Sequence, residues 1–183
     1  MNSQARQAAL AKLPLASCLA FAAVCSARAL KKIEPFRKDA IADWPSLPRG
    51  CEMLWERALN GDLVFDANVE EIHSAAQELI PESGEDEKDP LLAFTAKAIC
   101  LGLLMLAAQE QKEVYAANSG NNVINLVQNI YEKWEAAGKL EAEWQTQAIQ
   151  LLQQSQGTLS STMFDGIAEY QAGPLAEDIG LTS

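Results

Sequence analysis

Histidine occurs once in this sequence, at His73, and that scarcity removes most side-chain catalysis at the outset. A di-iron helical bundle needs Glu-x-x-His on two helices, and Glu70 with His73 supplies it only once. Ser-His-Asp or Cys-His chemistry would have to pass through the same residue, and no G-x-S-x-G turn accompanies it. Neither G-x-x-x-x-G-K nor G-x-G-x-x-G occurs, so no phosphate-cradling loop is written into the chain. Cysteine is present at Cys18, Cys25, Cys51 and Cys100, but never as C-x-x-C. The expectation is therefore reduced thiols packed in a core, with no metal and no other cofactor. No stretch alternates apolar and polar residues, so no strands are expected.

Positive charge is the second shortage. Lys and Arg number 14 against 25 Asp and Glu, a formal net charge of −11. Such a balance disfavours nonspecific attraction to nucleic acid or to an anionic membrane. The shortage is uneven: up to Arg57 there are nine basic residues against five acidic ones, so the remainder carries −15. A cationic partner is the natural complement of that remainder.

What the chain does have is apolar helical pattern. Hydrophobic residues make up 49% of 183 positions, enough for one domain with a sizeable core. The stretch 89–109, DPLLAFTAKAICLGLLMLAAQ, is apolar all round, with Lys97 as its one charge after the Asp89 cap and the first-turn Pro90. A helix with no polar face must be surrounded, and Lys97 with the acidic run before it argues for neighbouring helices over lipid. The expected fold is an all-α, single-domain bundle of about six to eight helices around this rod. It spans 1–183, with a weak helical segment at 159–170 and a frayed tail from 173.

The start of the chain imitates a leader. A basic opening, the apolar LPLASCLAFAAVC, Ala27-Arg28-Ala29 and Leu15-Ala16-Ser17-Cys18 resemble signal and lipoprotein cleavage sites. Yet Leu19, Ala22, Ala23, Ser26, Ala29, Leu30 and Ile33 continue one helical stripe through the apparent cut, which favours a retained helix over 14–33 and a cytoplasmic protein. Pro35 should break that helix. Pro48 should open the next, with Cys51, Leu54, Trp55 and Ala58 inward and Gly61 ending it. Asn68 and Glu71 suggest a capping box for a helix reaching residue 79, which Pro81 stops. Asn118-Ser119-Gly120-Asn121 reads as a turn, and Gly138 as the boundary between two later helices, the second carrying Leu140, Trp144, Ala148, Leu151 and Leu152 inward.

Acids dominate the loop 81–90, where Glu82, Glu85, Asp86, Glu87 and Asp89 face one Lys88. Glu110 with Glu113, Glu132 with Glu135, and Glu141 with Glu143 form further pairs. Acid–base work would need their pKa shifted by burial, and the helical spacing places the first two pairs toward solvent. Most aromatics fall on inward stripes; Trp44, beside Pro45, is the candidate for an exposed anchor.

Three segments carry a family resemblance: AFAAVCSARALKKIEPF (20–36), CEMLWERALNG (51–61) and the region 123–152 with EAEWQTQAIQLL. Together they resemble the YjaG-type family of small bacterial helical proteins. The resemblance implies an all-α bundle, carries over no catalytic residue, and covers the chain to about residue 152. In type, the chain is also similar to the small acidic immunity partners of bacterial toxins. The expected function is accordingly non-enzymatic: an acidic surface built from Glu82, Glu85, Asp86, Glu87, Asp89, Glu110, Glu113, Glu132 and Glu135, with Trp44 as anchor, occluding the basic cleft of a cognate toxin. A toxin that handles nucleic acid or nucleotides suits that charge. The alternative is a housekeeping bundle of the YjaG type, with a homodimer through an exposed apolar helix face as the form open to it.

Overall fold

Pro35 does not end its helix. In the computed structural model, which describes residues 2–82, 89–130 and 134–160, α2 runs from Leu15 to Asp43 with Pro35 inside it. The missing proline amide and the ring's clash with the preceding turn surface two residues later as a kink, at Arg37 (φ −140, ψ 30). Arg37 there donates to the Phe36 carbonyl and pairs with Asp89. The kink therefore re-aims α2 and leaves it helical on both sides.

Every other regular element among the described residues is also helical: α1 (Ser3–Leu10), α3 (Ser46–Asn60), α4 (Ala67–Gln77), α5 (Pro90–Leu104), a short 3-10 turn (Gln109–Gln111), α6 (Lys112–Ile130) and α7 (Trp134–Gln154). The chain is a helical bundle. None of these helices is long and apolar enough to cross a membrane.

The apolar rod at the centre is α5, which packs on α2, α3, α4 and α6. Its start is as the sequence suggests. The Asp89 carboxylate accepts from the amides of Leu91 and Leu92, and Pro90 occupies the first turn. It ends at Leu104, five residues short of the pattern, in turns that lead to the 3-10 segment. Ile99 and Leu103 are fully buried, each contributing about 1.5–3 kcal/mol by leaving water. α2 shares the centre: Cys18 through Cys25 are all fully buried, and α2 touches α3, α5, α6 and α7.

Close contacts fix the directions. Gly102 lies against Leu54 and Ala22, and Asp89 against Arg37, so α5 runs antiparallel to α2 and parallel to α3. A Cβ on Gly50 would stand 2.5 Å from Ile99 Cγ2, which is why α3 carries a glycine where it crosses α5. α4 returns antiparallel along α3, with Asp66 against Arg57 and Ile72 against Gly50.

Two expected breaks prove to be helix interiors. The segment 118–121 lies inside α6, and Gly138 lies inside α7. The small polar residues there serve close packing. Buried Ser119 donates to the Ala98 carbonyl of α5 at 2.9 Å, and Gly120 lets α7 approach. Among the described residues α6 extends to Ile130 and α7 starts at Trp134. Leu140, expected inward, is 36% exposed. The cap of α4 is Asp66, accepting from the Val69 amide at 3.0 Å, in place of the Asn68–Glu71 box. α3 opens at Ser46, two residues before Pro48, and closes as expected on Gly61 in the left-handed region (φ 67). All four cysteines are buried and free.

Candidate functional site

The antiparallel contact of α6 with α7 holds the most polar part of the interior. Gln145, fully buried, donates through Nε2 to the Gly120 carbonyl at 2.8 Å and to Glu141 Oε1 at 3.5 Å. Glu141, 2% exposed, accepts from Arg28 Nε of α2 at 2.7 Å. The Arg28 guanidinium also lies 4.5 Å from the centre of the Trp144 ring, a cation–π geometry. Next to this seam, Arg6 donates to Asn121 Oδ1 at 2.6 Å. The Lys32 ammonium is pushed down to about 8, chiefly by burial and then by Arg28, with Glu141 opposing.

The sequence pairs Glu141 with Glu143; the structure keeps Glu143 outside and turns Glu141 inward. The signal was available. Glu141, Gln145, Ala148 and Leu152 recur at helical spacing on one face, and Arg28 sits within an otherwise apolar stripe of α2. A paired, hydrogen-bonded carboxylate beside a guanidinium orients three helices; its surroundings are side chains of the core.

Among the described residues, Arg6, Arg28 and Arg57 are buried, whereas the one buried carboxylate is Glu141. More positive than negative charge has thus been taken out of water.

The acids expected to form one docking surface are divided. Glu82, Asp89 and Glu135 come to the end of the bundle where α5 and α7 begin. Glu110 and Glu113 sit at the other end, at the start of α6. Gln128 packs against Gly138, within a turn of Glu135, and Glu113 lies fifteen residues back along α6, about 22 Å away. Glu82, Glu110 and Glu135 are exposed and Glu113 is half-buried. Asp89 is occupied within the fold, capping α5 and pairing with Arg37. Trp44 is half-buried against the core at the end of α2, so it is a packing residue before it is an anchor. Glu85, Asp86, Glu87 and Glu132 lie outside the described residues, as do most of the segment 159–170 and all of 173–183.

No protein-family model, no curated protein and no solved structure matches the chain. Geometry alone therefore speaks for function.

His73 is half-buried on α4, edge-on to Phe65 at 6.2 Å between ring centres, and burial pushes its pKa down. Its backbone carbonyl accepts from Cys100 Sγ at 3.6 Å. Among the described residues no group of three or more His, Cys, Asp or Glu side chains is placed to hold a metal ion.

A cleft of about 520 Å³, invisible to motif reasoning, opens between α3 and α4. Its α3 wall is the face carrying Arg49, Met53, Glu56, Arg57 and Asn60; Asn68, Glu71 and Ile72 face it from α4, with Asp62 at one end. Arg57, its side chain 10% exposed, pairs there with both Asp62 and Asp66. Arg49 pairs with Glu52 at 3.2 Å and Glu56 at 3.4 Å. The Asp66 carboxyl is held below its usual value by the Val69 amide first and Arg57 next.

Proposed function

We propose that the protein is a non-enzymatic binder of a basic protein partner, of the kind represented by cytoplasmic immunity proteins that block a cognate bacterial toxin. The observation that carries this reading is the unequal burial of charge. Among the described residues three guanidiniums and one carboxylate are withdrawn from water, in a chain whose formal charge is already −11, so the charge these residues leave outside is more acidic than their composition. Such a surface steers a cationic partner to productive encounter, and a few apolar contacts then set the lifetime of the complex. Because the acids divide between two ends, one end docks at a time. The end with Glu82 and Glu135 is the one assigned here, since both acids are exposed there.

The test is co-expression with the toxin encoded beside the protein, together with binding kinetics at several salt concentrations. The expected result is rescue of growth, with association slowed about tenfold or more between low and physiological salt. Glu82→Gln with Glu135→Gln should slow association further while leaving the far-UV spectrum unchanged. No rescue and no binding would refute the reading.

A YjaG-type housekeeping bundle that self-associates is the second reading. Phe36, 54% exposed, and Leu140, 36% exposed, favour it, because both lie toward that same end. Light scattering decides it: a dimer that Phe36→Ser dissociates supports self-association, and a monomer at all concentrations removes it.

A further inference from the structure

We propose that the cleft between α3 and α4 binds an alkylammonium or alkylguanidinium group, its carbon stem on Met53 and Ile72 and its charged head at Glu71. The site lies apart from the acids of the preceding reading, none of which lines it, so either can fail without the other.

Charge within the cleft decides the sign of the ligand. Both guanidiniums that line it already face two carboxylates each, Arg57 with Asp62 and Asp66 and Arg49 with Glu52 and Glu56. An anion would have to displace a carboxylate from Arg57, or bind Arg49 against the repulsion of Glu52 and Glu56. Glu71, by contrast, has no ion pair among the described residues and lines the same space. Three carboxylates, Glu56, Asp62 and Glu71, thus line the cleft with two guanidiniums, Glu52 and Asp66 pair with those guanidiniums as well, and the surplus is negative.

The floor decides the shape. Met53 is buried and Ile72 half-buried, so the cleft offers apolar surface beneath a charged rim. A methylene chain ending in a cation matches both parts, as lysine and arginine stems do when they lie along apolar surface. A bare divalent ion does not, because no three acidic or histidine ligands among the described residues converge. The volume of about 520 Å³ falls in the ordinary range for small-molecule sites and exceeds one side chain. The ligand is therefore a free linear diamine, or a basic side chain entering with its flanking peptide.

Methyl NMR of the full chain, following Met53 and Ile72, tests this with three capped amino acids of similar length. These are acetyl-lysine amide, the neutral acetyl-norleucine amide and the anionic acetyl-glutamate amide; cadaverine represents the free amine. The expected result is saturable shifts with the lysine derivative or cadaverine, weakened by added salt and about fivefold by Glu71→Gln. Tighter binding of the lysine derivative identifies a basic peptide as the source, and tighter binding of cadaverine identifies a free amine. The proposal is overturned if the norleucine or glutamate derivative binds as well, or if Glu71→Gln changes nothing. Absence of saturable shifts with either cation up to about 50 mM would overturn it equally. Glu71 is exposed, so its substitution leaves the fold intact, and the circular dichroism melt of the variant verifies this.

Discussion

Removing one partner of the Arg28–Glu141 pair should damage the fold far more than removing both. The side chains are 10% and 2% exposed, and Nε stands 2.7 Å from Oε2. At that separation, unit charges in a medium of effective dielectric constant near 20 attract by about 6 kcal/mol, most of which offsets the desolvation of both ions. Glu141→Leu takes from Arg28, beside Trp144, the carboxylate that accepts from its Nε; Arg28→Met strands the carboxylate against Gln145. Each single change should cost about 3–5 kcal/mol, from a total stability of order 10 kcal/mol. The double variant should come within about 1–2 kcal/mol of the parent, since methionine and leucine refill the space without unpaired charge. Urea denaturation of all four proteins, read by tryptophan fluorescence, closes the cycle. Melting temperatures should fall by about 6–20 °C in the singles. Additive single effects, each below about 1 kcal/mol, would refute the picture of a desolvated pair.

Two mid-helix glycines should respond oppositely to the same substitution. A Cβ on Gly120 would stand 2.7 Å from Oε1 of Gln145, which is fully buried and bonded to the Gly120 carbonyl, so Gly120→Ala should lose about 1–3 kcal/mol. On Gly138 it would meet the free end of the half-buried Gln128 at 2.6 Å, which can swing away, so Gly138→Ala should be neutral or gain up to about 1 kcal/mol in thermal melts. Equal effects at both sites would contradict the assigned helix contacts. Alkali should also weaken the protein. Burial raises the thiols of Cys18 and Cys100 to about 12 and those of Cys25 and Cys51 still further, so the native state keeps protons that the unfolded chain loses above about 9. Lys32, lowered to about 8, acts in the other direction between there and its ordinary value near 10.5. The thiols outnumber it, and stability should fall by about 3 kcal/mol from pH 9 to 10. A flat urea midpoint over that interval would exclude the burial of the thiols.

Helix identity was legible because apolar periodicity is local. The Asp89–Pro90 start of α5 and the Gly61 end of α3 are written in single residues whose backbone preferences admit few alternatives. Interior glycine and proline misled for one shared reason. Pro35 within α2 and Gly120 and Gly138 within α6 and α7 break isolated helices, but here packed neighbours hold the backbone helical. Gly50 and Gly102 make the same point from the other side, since each stands where two helices come closest. The cleft could not be foreseen, because it depends on how α3 and α4 are set against each other and no motif encodes that.

Charge is where the linear and the folded readings part most usefully. The first 57 residues carry the basic surplus, and read along the chain they suggest a positive region facing a negative one. Folding reduces that contrast. Among the described residues Arg6, Arg28 and Arg57, all from this stretch, are the buried cations, and each is held by a group brought from elsewhere: Asn121, Glu141, and the pair Asp62 and Asp66. The basic residues of the N-terminal part thus tie α1, α2 and α3 to α6, α7 and the start of α4. A partner meets a molecule that has withdrawn three guanidiniums from water and keeps Glu82, Glu110 and Glu135 exposed at its two ends, and this is why salt-dependent association with a cation is the measurement that bears most directly on function.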